Sequence, residues 1–74
     1  MPLESVLQKL STVQGRVCMR VIELALYIEY AAYDLYRTMA DRTSGVAARE
    51  AFMAIAQAEK AHMRALVKAI DNCS

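Results

Sequence analysis

Glu29, Glu59 and His62 are the residues of this sequence whose types and spacing suit chemistry. Each interrupts an apolar line at helical spacing. One line runs Met19, Ile22, Leu26, Glu29, Tyr33, Tyr36, Ala40 and the other Ala48, Phe52, Ile55, Glu59, His62, Leu66, Ile70, in steps of three and four. A buried leucine in such a line contributes about 1.5–3 kcal/mol, whereas an unpaired carboxylate there costs several kcal/mol. Something must therefore compensate for the charge. Carboxylates combined with imidazole are the donor set of iron, manganese or zinc sites, and Glu59 and His62 stand three apart, on one side of a helix and a turn apart. Taken singly, a seam histidine is more often a satisfied core residue, and a seam glutamate one that reaches solvent or a hydrogen-bond donor. The case for a metal rests on the three together.

The elements that must position them follow from the turn formers. Thr43-Ser44-Gly45 is the only cluster of these in the chain, and position 44 is midway between Glu29 and Glu59. Residues equidistant from the turn of an antiparallel hairpin lie at one height, so the two glutamates face each other. A lead-in spans 3–15, with Pro2 at its start and a weak patch, Ser11 to Gly15, that reads as a kink or break. A helix then covers about 16–42, the turn 43–45, and a second helix about 46–70, rich in Ala, Glu, Lys, Met and Leu. The fold class is all-α, a single domain over 1–74 forming an antiparallel two-helix hairpin. Such a hairpin has no interior, so a homodimer at least is expected, packed as a four-helix bundle with four carboxylates and two imidazoles at its centre.

The tyrosines and two further stripes belong to this reading. Tyr33 and Tyr36 follow Glu29 along its seam and can hydrogen-bond a ligand carboxylate or pack beside it, packing being favoured, while Tyr27 and Tyr30 point away. Val17, Val21, Leu24, Ile28 and Leu35 form a second apolar line on the first helix, apart from the seam. Ala47, Ala51, Ala54, Ala58, Ala61, Ala65 and Ala69 run along one side of the second helix, small enough for close helix approach. Either the hairpin's own partner covers these lines, or assembly extends to a higher homo-oligomer.

Composition removes several classes. A net charge of +1, from nine basic and eight acidic residues scattered among each other, leaves no footprint for nucleic acid or an anionic membrane. The most apolar stretch, 21–36, is broken by Glu23, Glu29 and Asp34, short of the roughly 18 apolar residues of a membrane span. No basic-then-apolar leader opens the chain, so a cytoplasmic location is expected. Cys18 and Cys73 make neither a spacing framework nor a metal clip, and are expected to be free thiols in a reducing compartment.

The segments Glu29-Tyr-Ala-Ala-Tyr-Asp-Leu-Tyr36 and Ala51-Phe-Met-Ala-Ile-Ala-Gln-Ala-Glu-Lys-Ala-His62 resemble one half of a ferritin-like di-iron domain of the rubrerythrin kind. The resemblance covers about 22–66. A single half per chain, with thirty residues between Glu29 and Glu59, is more similar to the two-helix encapsulated ferritins. This resemblance implies a di-iron centre shared between two chains, with Glu59 and Glu29 as carboxylate ligands, His62 as imidazole ligand and Tyr36 beside the site. No catalytic residue beyond the ligands is implied. The implied activity is oxidation of ferrous iron, with rubrerythrin-like peroxide reduction or a non-catalytic helical assembly module as alternatives. An encapsulating shell or a fused domain outside this chain would be further partners. Two departures stand out: Ile28, Ala31 and Ala32 occupy places where encapsulated ferritins carry further acids, and Leu35 replaces an aromatic residue.

Overall fold

A computed structural model describes residues 2–73. It contains helices α1 (Leu3–Leu10), α2 (Val13–Arg42) and α3 (Val46–Ala69), and a short 3-10 turn, Ile70–Asn72. α2 and α3 pack antiparallel along their length, in a molecule of 50 × 16 × 14 Å.

The weak patch after α1 is a break of two residues. Thr12 is extended and its hydroxyl accepts from the Gly15 backbone N–H at 2.9 Å, so α2 starts at Val13, three residues before the expected position. An N-cap threonine satisfies one of the donors that a new helix leaves open, which outweighs the glycine just inside it. Gly15 has a different task. A Cβ there would overlap the Lys9 carbonyl oxygen and crowd the Thr12 hydroxyl, so its absence lets the end of α1 lie directly on α2. The Arg16 guanidinium donates to the Leu10 carbonyl at 2.9 Å, closing the C-terminal end of α1.

The hairpin turn falls on residues 43–45. Thr43 caps α2, its backbone N–H and its hydroxyl both donating to the Met39 carbonyl. Gly45 is the N-cap of α3 with φ −80°, a conformation open to any residue. At the other end α3 closes at Ala69, one residue earlier than expected, because the chain tightens into the 3-10 turn and then extends at Cys73.

That extension overturns the free-thiol expectation. Cys73 is bonded to Cys18 of α2, and no free cysteine is present among the described residues. Two cysteines 55 residues apart show no pairing pattern in sequence; the antiparallel hairpin brings them together by placing position 18 opposite position 70. A bond closing a loop of this length stabilises by on the order of 4 kcal/mol. It adds to a small core, since among the described residues the buried apolar ones are Ile22, Ala40, Ala56 and Cys73. No described helix is long and apolar enough to cross a membrane.

Candidate metal centre

On α2 the side turned to α3 carries Met19, Ile22, Leu26, Glu29, Tyr33, Tyr36 and Ala40, each at least half-buried, as the seam spacing requires. On α3 the side turned to α2 carries Phe52, Met53, Ala56, Glu59, Met63 and Leu66. Ile55 and His62 sit at the edge of that contact and remain exposed, so the inner line of α3 is rotated by one position from the line Ile55–His62 read in sequence.

Glu29, Glu59 and His62 converge at mid-hairpin. One ligand atom from each lies within 4.8 Å of the others, a span that two metal–ligand bonds of about 2.1 Å nearly bridge. The His62 Nδ1 is 3.1 Å from Glu29 Oε2 and 3.7 Å from Glu59 Oε2. The glutamate side chains are largely covered, at 25% and 15% exposure, while the imidazole is 60% exposed on the open side. The two carboxyls titrate as a pair. The hydrogen bond with Glu59 is the main cause holding Glu29 below the ordinary carboxylate range, with His62 adding to it. The same bond, then burial, pushes Glu59 up. The opposite directions mark two carboxyls in close interaction, and a cation between them would favour the ionised form of both.

The tyrosines fall into separate settings. The Tyr33 hydroxyl accepts from Arg37 at 3.0 Å and Lys60 Nζ lies 5.7 Å from its ring centroid, so Tyr33 serves the charged side of the hairpin and makes no hydrogen bond to the carboxylates. Tyr36 stacks on Phe52, with centroids 6.3 Å apart, which ties it to the turn-proximal core. Tyr27 and Tyr30 are exposed, and the Tyr30 ring is tilted by 42° to that of Tyr33 with centroids 6.5 Å apart.

Sequence reading missed what surrounds the cluster. Lys60 and Tyr33 mark one side of the hairpin, and helical periodicity then places Ile55 and His62 on the opposite side, together with Val21, Leu24, Ile28, Leu35 and Met39 of α2. The second apolar line is therefore not apart from the seam but is the flank of the surface into which His62 opens. The alanines of α3 at 51, 58 and 65 extend it. Charges collect on the other side, with Arg20, Glu23, Asp34 and Arg37 on α2 and Arg49, Lys60 and Arg64 on α3. The signal was available in the spacing; what was lacking was which side of each helix the hairpin leaves open.

An antiparallel helical hairpin with two facing glutamates and a Glu-x-x-His pair defines half of a ferritin-like carboxylate bundle. The Rubrerythrin family model matches residues 20–74, and the chain belongs to that family. Neither curated proteins nor solved structures yield a match to this chain. Cys18 and α1 lie outside the matched residues, whereas all three residues of the cluster lie inside them.

Proposed function

We propose that two copies of this chain pack their apolar sides together and hold a di-iron centre, at which ferrous iron is oxidised. The observation that carries this reading is the opening of a carboxylate–carboxylate–imidazole cluster onto an apolar, exposed surface of the hairpin. A surface as long and wide as the hairpin, 50 × 16 Å, offers on the order of 800 Å² per partner, the size of a standard interface. Its exposed apolar residues include Val21, Ile28, Leu35 and Ile55.

The donors suit the metal. Two clusters facing each other supply four carboxylates and two imidazoles, and four carboxylates at close quarters require cations between them. Glu29 and Glu59 would hold the metal through carboxylate oxygens, and His62 would supply a nitrogen on the side from which the partner arrives. Manganese or zinc fits the same donors, and iron is the metal whose change of valence delivers electrons to oxygen or peroxide. Around it, the chain's own residues exclude water, with Ile28 and Ile55 flanking the opening and Leu26 and Met63 closing it from within. Metal held by Glu29 and Glu59 would favour the ionised form of both carboxyls, against the upward shift of Glu59.

Anaerobic loading with ferrous iron, metal content per chain, and the oxidation rate after admitting oxygen test this reading. Close to one iron per chain and oxidation well above the buffer rate, both lost in Glu59→Ala, are the expected results. No stoichiometric metal in a stable dimer would instead make the chain a helical assembly module. Membership of the Rubrerythrin family favours a second oxidant, and turnover with peroxide far faster than with oxygen would assign peroxide reduction.

A further inference from the structure

We propose that the Cys18–Cys73 bond is a redox clasp: an external dithiol opens the terminal end of the hairpin while the carboxylate–histidine cluster stays in place. The proposal is independent of whether the cluster holds metal.

The bond is the main tie between the end of the chain and α2. The backbone N–H of Cys73 donates to Ile70 within its own 3-10 turn, and no side-chain hydrogen bond joins residues 70–73 to α2 among the described residues. The end of α1 rests on the same junction, where Gln8, Lys9, Asp71 and Cys73 line an open cleft. α1 has little hold of its own, with Leu3 70% and Leu7 56% exposed. Three segments therefore meet at one covalent link.

The chemistry follows from burial. Cys73 is 3% exposed while Cys18 is half-buried, so a thiolate reaches the Cys18 sulfur and Cys73 leaves as a thiolate. The second thiol of the reductant then displaces Cys18. The protein's S–S bond is broken, one forms in the reductant, and two electrons and two protons end on the cysteines. Glu29 lies eleven residues along α2 from Cys18, about 16 Å away, so the opening does not reach the cluster. Disulfides persist in oxidising compartments, and the closed form is the one suited to them.

The test combines alkylation with hydrogen exchange. Denatured without reductant, the protein should take up no iodoacetamide, and after dithiothreitol two alkyl groups. Reduction of the native protein should speed amide exchange by about tenfold or more in 3–18 and 66–73, leave 22–36 and 52–62 protected, and lower the Tm by about 10 °C or more. The Cys18→Ser/Cys73→Ser double variant should match the reduced form with or without dithiothreitol; should it fail to fold, the exchange contrast in the natural protein decides alone. Free thiols before reduction, unchanged exchange, or a uniform rise that includes 22–36 would each overturn the clasp.

Discussion

Glu29 and Glu59 are shifted in opposite directions by their mutual contact, and this decides how the cluster responds to acid. Glu59, raised, binds its proton more tightly in the folded hairpin than in the unfolded chain. Its contribution to metal-free stability is present below the ordinary carboxylate range and is lost as pH rises through its raised value. Glu29, lowered, acts oppositely: its contribution is present above the ordinary range and fades as pH falls through its own value. Metal binds ionised carboxylates, so ferrous or cobaltous loading, followed by absorbance or calorimetry, should weaken as pH falls into the range where Glu59 protonates. Glu59→Gln separates the two roles. It keeps a hydrogen bond to Glu29, so thermal melting of the metal-free protein at neutral pH should be unchanged or slightly improved. Metal affinity should drop by more than the 10–100-fold typical of losing an outer hydrogen bond.

Helix ends and breaks carry the next set of consequences. α2 begins where Thr12 caps it, and α1 can lie against it only because Gly15 lacks a side chain. Gly15→Ala should unseat α1 and cost about 1–3 kcal/mol, measurable as a lower Tm together with faster proteolysis before residue 13. Gly45 differs, because its φ is negative and an added Cβ would meet only the Ala48 Cβ at 3.9 Å. Gly45→Ala should therefore be neutral or stabilising by about 0.4–1 kcal/mol in a denaturant titration. The turn was legible in sequence because its residues are the chain's only cluster of breakers. The start of α2 was displaced because a capping hydroxyl at Thr12 outweighs the low helix propensity of Gly15.

For the whole molecule the division into a charged and an apolar side is what the proposed pairing of two copies rests on. Among the described residues the hairpin buries few apolar side chains, and the proposed dimer would supply the burial that folding alone does not. Ile28 is 68% exposed in the lone hairpin, so Ile28→Arg has little to disturb within it. Sedimentation should show this variant as a folded monomer, with circular dichroism still helical and metal affinity reduced, because half of the ligands have left. A dimer that persists in Ile28→Arg would place the interface elsewhere. In the proposed dimer, loss of metal in His62→Ala should loosen the pair, since metal bound across the interface would add its binding energy to association.

The sequence by itself determined the hairpin and the height of its polar residues. Helical period and a single turn at position 44 leave Glu29, Glu59 and His62 no other arrangement in a two-helix antiparallel chain. Tertiary structure decided the rest. Which side of each helix stays open depends on the rotation of α2 against α3, which buries Ala40 and Ala56, and no one-dimensional pattern encodes that angle. Tyr33 turned to Arg37 and Lys60 for this reason, and the apolar line of α2 joined the cluster's own side. The Cys18–Cys73 bond was hidden for a related one. Its partners are 55 residues apart and meet only because the hairpin folds back and the 3-10 turn after α3 redirects the chain.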